Sequence, residues 1–189
     1  MNDAQINNPW LAQRARELQT SIVEIERDVA PLAYLQIGWR PPDGGWSIAQ
    51  VMEHLIITDQ SYIDALEPLL AQPPRRVVQE AWRPSLMGGL LTRSQMPDSK
   101  RKLTTPRIWR PAPEARAHVV EEYIAVRKRL LQLLERADGH DLRRTRLSSP
   151  AARWIRMNLG DAFMTLIVHT QRHLQQIRRI KEFPDFPRQ

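Results

Sequence analysis

The sequence contains no cysteine. It therefore has no disulfide bond, no thiolate nucleophile and no thiolate ligand, so any metal site must use His, Asp, Glu or water. It also has no apolar run of transmembrane length. The first residues show neither the basic nor the apolar region of a signal peptide. We therefore expect a soluble cytoplasmic protein.

Lysine is also scarce, and the formal net charge of +7 comes almost entirely from arginine. The basic clusters are Arg75–Arg76, Arg143–Arg144 with Arg146, and Arg178–Arg179. They are scattered along the chain, carry no interleaved aromatic residues and match no nucleic-acid-binding motif. Solvated helix faces explain them, and binding to nucleic acid or to a membrane is not expected.

Two amphipathic helices are predicted in the first part of the chain. The first should run from Pro9 to Ala30, because Asn8 can cap it and proline suits the first helical position. The second should begin after Ser47, whose hydroxyl can form a reciprocal capping box with Gln50, and should continue to about Leu70.

Two more helices are predicted in the second part. Apolar residues recur at helical spacing over residues 113–137. The last helix should start from an Asn158 cap, with Asp161 three residues later, and should stop before Pro184. The two phenylalanines of the tail 183–187 are expected to fold back on the helices.

The segments between these helices contain no convincing strand. Residues 72–112 are rich in proline and include Gly88–Gly89, with a short helix predicted between residues 84 and 92. So long a connection can be a lid or rim of a functional site, or a packed crossover strap. Residues 141–157 are interpreted as a basic linker. The predicted fold is all-α, a single domain over residues 1–189 that forms a four-helix bundle with a long crossover between helices two and three.

His169 and His173 are separated by four residues in the last predicted helix, within its apolar stripe. This spacing places two imidazoles one turn apart on one face, where both can bind a single metal ion. The alternative is that they are two core histidines, each hydrogen-bonded to a neighbour.

His54 lies at the edge of the apolar stripe of the second predicted helix. Its neighbours on that flank, Thr58 and Ser61, are small and polar, which favours a water-accessible cleft over a dry core. It can be an ordinary boundary residue. In a bundle, however, it can approach His169 and His173, and three imidazoles would leave coordination positions open for water or substrate.

Three sequence elements resemble the DinB-like superfamily. They are Trp46-Ser47-Ile48 followed by His54-Leu55, the element Lys102-x-x-x-Pro106, and His169-x-x-x-His173-x-x-Gln176-Ile177. In their order and spacing they are similar in particular to the branch of YfiT-like metal-dependent hydrolases. The resemblance covers residues 9–187, although residues 75–112 and 141–157 fit it poorly.

The resemblance implies a helical bundle, often a homodimer, with a divalent-metal site. Its three histidines match His54, His169 and His173 of this sequence. Zn, Ni and Fe all suit imidazole ligands, so the metal is not specified. Thr58, Thr165 and Gln176 are expected to hold the imidazole tautomers from outside the ligand set. Helical angle disfavours Glu53 and Asp59 as fourth ligands.

Two classes of function remain open at this point. The first is a metal-dependent enzyme, a hydrolase or a thiol-dependent transferase, acting on a small-molecule substrate, with a low-molecular-weight thiol as a candidate partner. The retention of all three histidines favours it. The second is a non-catalytic stress-response or binding module whose metal site is structural or vestigial, and the lack of an obvious general base favours this alternative.

Overall fold

A computed structural model describes residues 6–74, 82–99, 104–114, 116 and 118–188. These residues form a mainly helical protein with one small antiparallel sheet. The elements, in chain order, are α1 (Pro9–Asp28), α2 (Tyr34–Gly38), α3 (Ile48–Leu70), α4 (Leu86–Gln95), a 3₁₀ turn (Arg107–Trp109), α5 (Val119–Arg136), β1 (Arg146–Ser149), β2 (Ala152–Asn158) and α6 (Leu159–Lys181).

The predicted starts of α1 and α3 are confirmed. The side chain of Asn8 accepts hydrogen bonds from the first free N–H groups of α1, and Pro9 occupies its first turn. At the start of α3, the Gln50 N–H donates to Ser47 Oγ at 3.2 Å, and the Ser47 N–H donates to Gln50 Oε1 at 3.1 Å. These side chains satisfy backbone donors that have no partner within the helix.

The prediction for α5 is wrong at its start. The helix begins at Val119 instead of residue 113, because His118 adopts a left-handed conformation with φ of 58°. That conformation does not continue into an α-helix. The apolar period over the remaining turns places Tyr123, Leu130 and Leu133 in the core, as expected.

Helix α6 has the predicted boundaries to within a few residues. Asn158 and Asp161 form a reciprocal capping box, in which the Asp161 N–H donates to Asn158 Oδ1 at 2.8 Å and the Asn158 N–H donates to Asp161 Oδ2 at 2.9 Å. Beyond α6 the chain folds back as expected, since the rings of Phe183 and Phe186 pack against Trp39 with centroids 5.9 and 5.6 Å apart.

The β1–β2 sheet was not predicted from the sequence, and the expectation of an all-α chain is therefore wrong in this segment. Strands β1 and β2 pair antiparallel, with Leu147 opposite Met157 and Ser148 opposite Arg156. Both strands are short, and exposed basic residues interrupt their apolar positions. A two-residue period this brief is easily taken for a polar linker.

Part of the connection between α3 and α5, the segment called the crossover here, is helical and packs closely on α6. The predicted short helix is present as α4, from Leu86 to Gln95. Gly88 lies against Asp161, and Gly160 lies against Trp82, so closely that a Cβ at either glycine would overlap its neighbour. Lys102, one residue of the family-like element, lies outside the described residues.

In the described part of the chain the long helices are α1, α3, α5 and α6, and they pack against one another in pairs. Helix α1 contacts α5 and α6, and α3 also contacts α5 and α6. Their apolar faces form two core clusters, one around Leu18, Tyr62 and Phe163 and the other around Met52, Tyr123 and Ile177. Within the described ranges, no helix combines the length and the apolar character needed to cross a bilayer.

Candidate metal centre

Three imidazoles converge between α3 and α6. His54 projects from the second turn of α3, and His169 and His173 project from consecutive turns of α6. His169 Nε2 lies 3.1 Å from His54 Nε2 and 3.1 Å from His173 Nε2. One ligand atom from each side chain lies within 4.8 Å of the other two, and all three residues are buried. The structure therefore brings together the three histidines that the sequence singled out.

In two of the imidazoles a hydrogen bond at Nδ1, the ring nitrogen that faces away from the cluster, fixes the tautomer. His54 Nδ1 lies 2.7 Å from the carbonyl oxygen of Trp109, and His173 Nδ1 lies 2.8 Å from Gln176 Oε1. Both partners are acceptors, so Nδ1 carries the proton in each histidine. A neutral imidazole protonated at Nδ1 presents a lone pair at Nε2, and both lone pairs are directed towards His169.

His169 cannot satisfy both lone pairs. If its proton is on Nε2, it can donate to only one of its two neighbours. If its proton is on Nδ1, three lone pairs face one another, and the buried Nδ1–H has no partner among the described residues. In either case the cluster holds more acceptors than donors, and an unsatisfied buried polar group is costly. A cation bound among the three Nε2 atoms would take the place of the missing hydrogen-bond donors.

The spacing of the nitrogens suits such a cation. A metal bound to imidazole at about 2.0–2.1 Å places neighbouring ligand nitrogens roughly 3 Å apart. Both nitrogen pairs that include His169 lie at that separation. The donor set is entirely imidazole, which suits Zn, Ni, Fe and Cu and is poorly suited to Mg or Ca. The residues present therefore fit a divalent transition metal.

Burial keeps the three imidazoles neutral. It is the largest cause of the lowered pKa of His54, whose bond to the Trp109 carbonyl acts in the opposite direction. Burial, then the neighbouring imidazoles and Arg127, hold the pKa of His169 well below its usual value. Burial lowers the pKa of His173 to about 3. Because a metal ligand must be deprotonated, these surroundings favour the ligating form at neutral pH.

The three residues predicted to support the ligands have different contacts. Gln176 Oε1 lies 2.8 Å from His173 Nδ1. The Thr165 hydroxyl lies 3.0 Å from the hydroxyl of Thr92 in α4 and contacts no imidazole within the described part of the chain. The Thr58 hydroxyl is buried and has no hydrogen-bond partner among the described residues. Thr58 and Thr165 both line the cavity beside the histidines.

The hydrogen bond between His54 and the Trp109 carbonyl was not predicted from the sequence. This carbonyl belongs to the crossover, and a main-chain acceptor leaves no side-chain signature in a sequence. The same tryptophan donates its indole N–H to Ser61 Oγ at 3.1 Å. The ring of Trp46 covers another side of the cluster, with its centroid 5.1 Å from that of His54 and 6.4 Å from that of His173.

The two acidic residues nearest to His54 in sequence have other partners. Glu53 accepts a hydrogen bond from the Ala112 N–H and pairs with Arg116, both at 3.1 Å. Asp59 is fully buried and pairs with Arg127 at 3.2 Å. Neither carboxylate joins the only metal-ligand cluster found in the described part of the chain.

A cavity of about 290 Å³ opens beside the three histidines. The crossover, the hairpin and α6 all contribute to its walls, and none of its described lining residues is Asp or Glu. Apolar walls come from Leu91, Pro106, Trp109, Ile155 and Leu166. Hydroxyl groups come from Thr58, Tyr62, Ser94, Thr104, Thr105, Ser149 and Thr165.

Comparison with protein families matches residues 18–177, most of the chain, to the DinB superfamily. The chain belongs to the DinB superfamily. The matched region contains all three histidines of the cluster. Searches of curated proteins and of solved structures found no match. The family resemblance noted in the sequence is therefore confirmed.

Proposed function

We propose that this DinB superfamily protein binds a divalent transition metal through His54, His169 and His173 and is a metal-dependent hydrolase or thiol-dependent transferase. One observation gives the main support for the metal site. The Nε2 atoms converge while Trp109 and Gln176 hold the protons of His54 and His173 on the opposite ring nitrogens. This arrangement is costly without a cation and favourable with one.

The bound metal would supply Lewis acidity, lowering the pKa of a water or thiol and polarising a carbonyl-type substrate. The chain's own residues supply the surroundings. Trp46 and Trp109 shield two sides of the cluster, and the cavity offers a small molecule an apolar wall with several hydroxyl groups.

A non-catalytic binding module with a structural metal site is the second candidate. One observation favours it, since no carboxylate lines the described part of the cavity and no protein group there is an obvious general base. A hydrolase or transferase using this site would depend on the metal for acid–base chemistry to an unusual degree.

Metal analysis of protein purified without an affinity tag tests the site. We expect about one Zn, Ni or Fe per chain in the wild type and a strong loss in His54→Ala and His173→Ala. His118→Ala removes an exposed histidine outside the cluster and should retain the metal. Equal metal content in all four proteins would contradict the site.

Assays on the metal-loaded protein test the enzyme proposal. We expect turnover of ester, amide or electrophilic substrates, in the last case with a low-molecular-weight thiol as the second substrate. Activity should follow metal content across the histidine variants. Full metal occupancy with no turnover in such a panel would favour the binding module.

The proposals for the bundle and the oligomeric state are based on the family resemblance and on the contacts between the helices. We propose that α1, α3, α5 and α6 form a four-helix bundle with the crossover between α3 and α5, and that the protein acts in the cytoplasm as a homodimer. Light scattering on the purified chain tests the homodimer, and a monomer at micromolar concentration would contradict it.

A further inference from the structure

A second cleft lies away from the histidines, where the N-terminal ends of α4 and α6 meet the start of the hairpin. Its volume is about 250 Å³. Four arginines line it, namely Arg83 from the crossover and Arg143, Arg144 and Arg146 from the segment before and within β1. The sequence separates Arg83 from the other three by about sixty residues, and only the fold makes them one group.

The positive charge of this cleft is poorly balanced. Among the described residues its one lining carboxylate is Asp141, which accepts hydrogen bonds from the backbone N–H groups of Arg143 and Arg144. Asp141 also lies 3.7 Å from the guanidinium of Arg144, whose side chain remains 89% exposed. The guanidinium groups of Arg83 and Arg146 have no hydrogen-bond or ion-pair partner among the described residues. Arg143 has an interaction of its own and is not counted as available to a ligand. The guanidinium groups available to an anion in this cleft are those of Arg83, Arg144 and Arg146.

The N-terminal ends of α4 and α6, which lie beside the cleft, are capped by side chains and do not form an anion site by themselves. Asn158 and Asp161 already satisfy the first N–H groups of α6, and Ser85 caps α4 while bonding to Asp161. Any anion in the cleft must therefore be held mainly by guanidinium groups. Arginine presents paired N–H donors that match the oxygens of a phosphate group.

We propose that this cleft binds the phosphate group of a small molecule. Among the described residues, the guanidinium groups of Arg83, Arg144 and Arg146 and the carboxylate of Asp141 leave a local charge of about +2. A phosphate group contributes roughly −1.5 to −2 at neutral pH, so one such group matches that charge. The cleft is smaller than the roughly 300–1,000 Å³ of sites that enclose a drug-sized ligand. It therefore holds the charged group, and the rest of the molecule extends outside. This inference does not depend on the metal site.

Calorimetric titration of the full chain with inorganic phosphate tests the proposal. We expect one saturable site per chain. Arg83→Gln and Arg146→Gln should each weaken binding about tenfold, the usual effect of losing one charge-assisted hydrogen bond. Arg179→Gln removes the same charge from an exposed position on α6 that does not line the cleft, and it should change affinity less than twofold. Equal losses in all three variants would show a general charge effect and overturn the proposal.

Two further titrations exclude other binding sites for the probe. Phosphate can also ligate a metal, so His173→Ala must retain the affinity of the wild type. Loss of binding in that variant would move the site to the histidines and overturn the proposal. A short DNA duplex should compete with phosphate only weakly. If the duplex displaces phosphate at a lower concentration of phosphate groups, and Arg179→Gln weakens duplex binding as much as Arg83→Gln, the surface binds extended polyanions and the assignment to a small molecule is wrong.

Discussion

The Nδ1 atom of His54 lies 2.7 Å from the backbone carbonyl oxygen of Trp109, a residue 55 positions further along the chain. The orientation of one candidate ligand is therefore set by the crossover. The crossover is itself attached to the first turn of α3, because the Gln50 side chain donates to the carbonyl oxygens of Ala112 and Pro113 at 3.0 and 3.2 Å. The N-terminal end of α3 thus supports both the fold and the site.

Ser47→Ala and Gln50→Ala should separate these two roles. Ser47→Ala removes one cap and should lower the free energy of unfolding by about 1 kcal/mol. Gln50→Ala removes the reciprocal cap together with both bonds to the crossover, and we expect a loss of roughly 2 kcal/mol or more. Urea denaturation measures both effects.

Metal affinity should distinguish the same two variants. Gln50→Ala frees the segment that carries the Trp109 carbonyl, so it should weaken metal binding more than Ser47→Ala does. An equal effect of both substitutions on metal affinity would show that the crossover does not position His54.

Removal of metal should destabilise the fold. A ligand that binds only the folded state stabilises it by an amount that grows with its free concentration relative to the dissociation constant. We expect a chelator to lower the melting temperature of the metal-loaded wild type at neutral pH, where burial keeps the imidazoles neutral. His173→Ala should lose most of this response and keep its helical circular dichroism. An unchanged melting temperature in the chelated wild type would identify the histidines as ordinary core residues.

Arg127→Met should destabilise the protein strongly. Arg127 and Asp59 are both fully buried and form an ion pair, and removing one partner of such a pair costs about 3–5 kcal/mol. Arg127 also donates to the Tyr123 hydroxyl at 3.0 Å and to Thr170 Oγ1. Arg129→Met is the matched control. Arg129 lies two positions after Arg127 on α5 and forms an exposed ion pair with Glu67 of α3. Its substitution should cost less than about 1 kcal/mol.

The effect of Arg127→Met should also depend on pH. Burial raises the pKa of Asp59 to about 6, and the charge of Arg127 opposes that rise. Without Arg127 the pKa should rise further above the value of about 3.9 in the unfolded chain. An acid whose folded-state pKa is raised stabilises the fold as the pH falls through that pKa. Denaturation at pH 8 and pH 5 should therefore show a smaller loss at pH 5, and a larger loss at pH 5 would contradict this account.

Gly160→Ala should be destabilising although alanine is the better helix former. A Cβ at residue 160 would overlap the indole ring of Trp82, whose N–H donates to Asn158 Oδ1 at 3.0 Å. We expect a loss of about 1–3 kcal/mol from overpacking. In a Trp82→Ala background the same change should be neutral or stabilising, because the overlap is gone. A double-mutant cycle with no coupling between the two positions would rule out this contact.

Much of the helical framework was predictable because its signals are local. A cap lies within three residues of the donors that it satisfies, as in the Ser47–Gln50 and Asn158–Asp161 boxes, and an apolar seam repeats at every turn. The spacing of His169 and His173 was local in the same way. The start of α5 and the β1–β2 hairpin were not predicted, because a left-handed residue at His118 and two short, basic strands leave weak local patterns.

By itself, the sequence determined the long helices, their caps and the two histidines that share one face of α6. Tertiary structure decided which distant groups meet. It placed His54 against that histidine pair, directed the Trp109 carbonyl to its Nδ1 atom and joined Arg83 to the arginines before β1. The physical reason is that helical periodicity fixes the direction of a side chain only relative to its own axis. The partner that it meets depends on how the helices pack and on where the crossover returns.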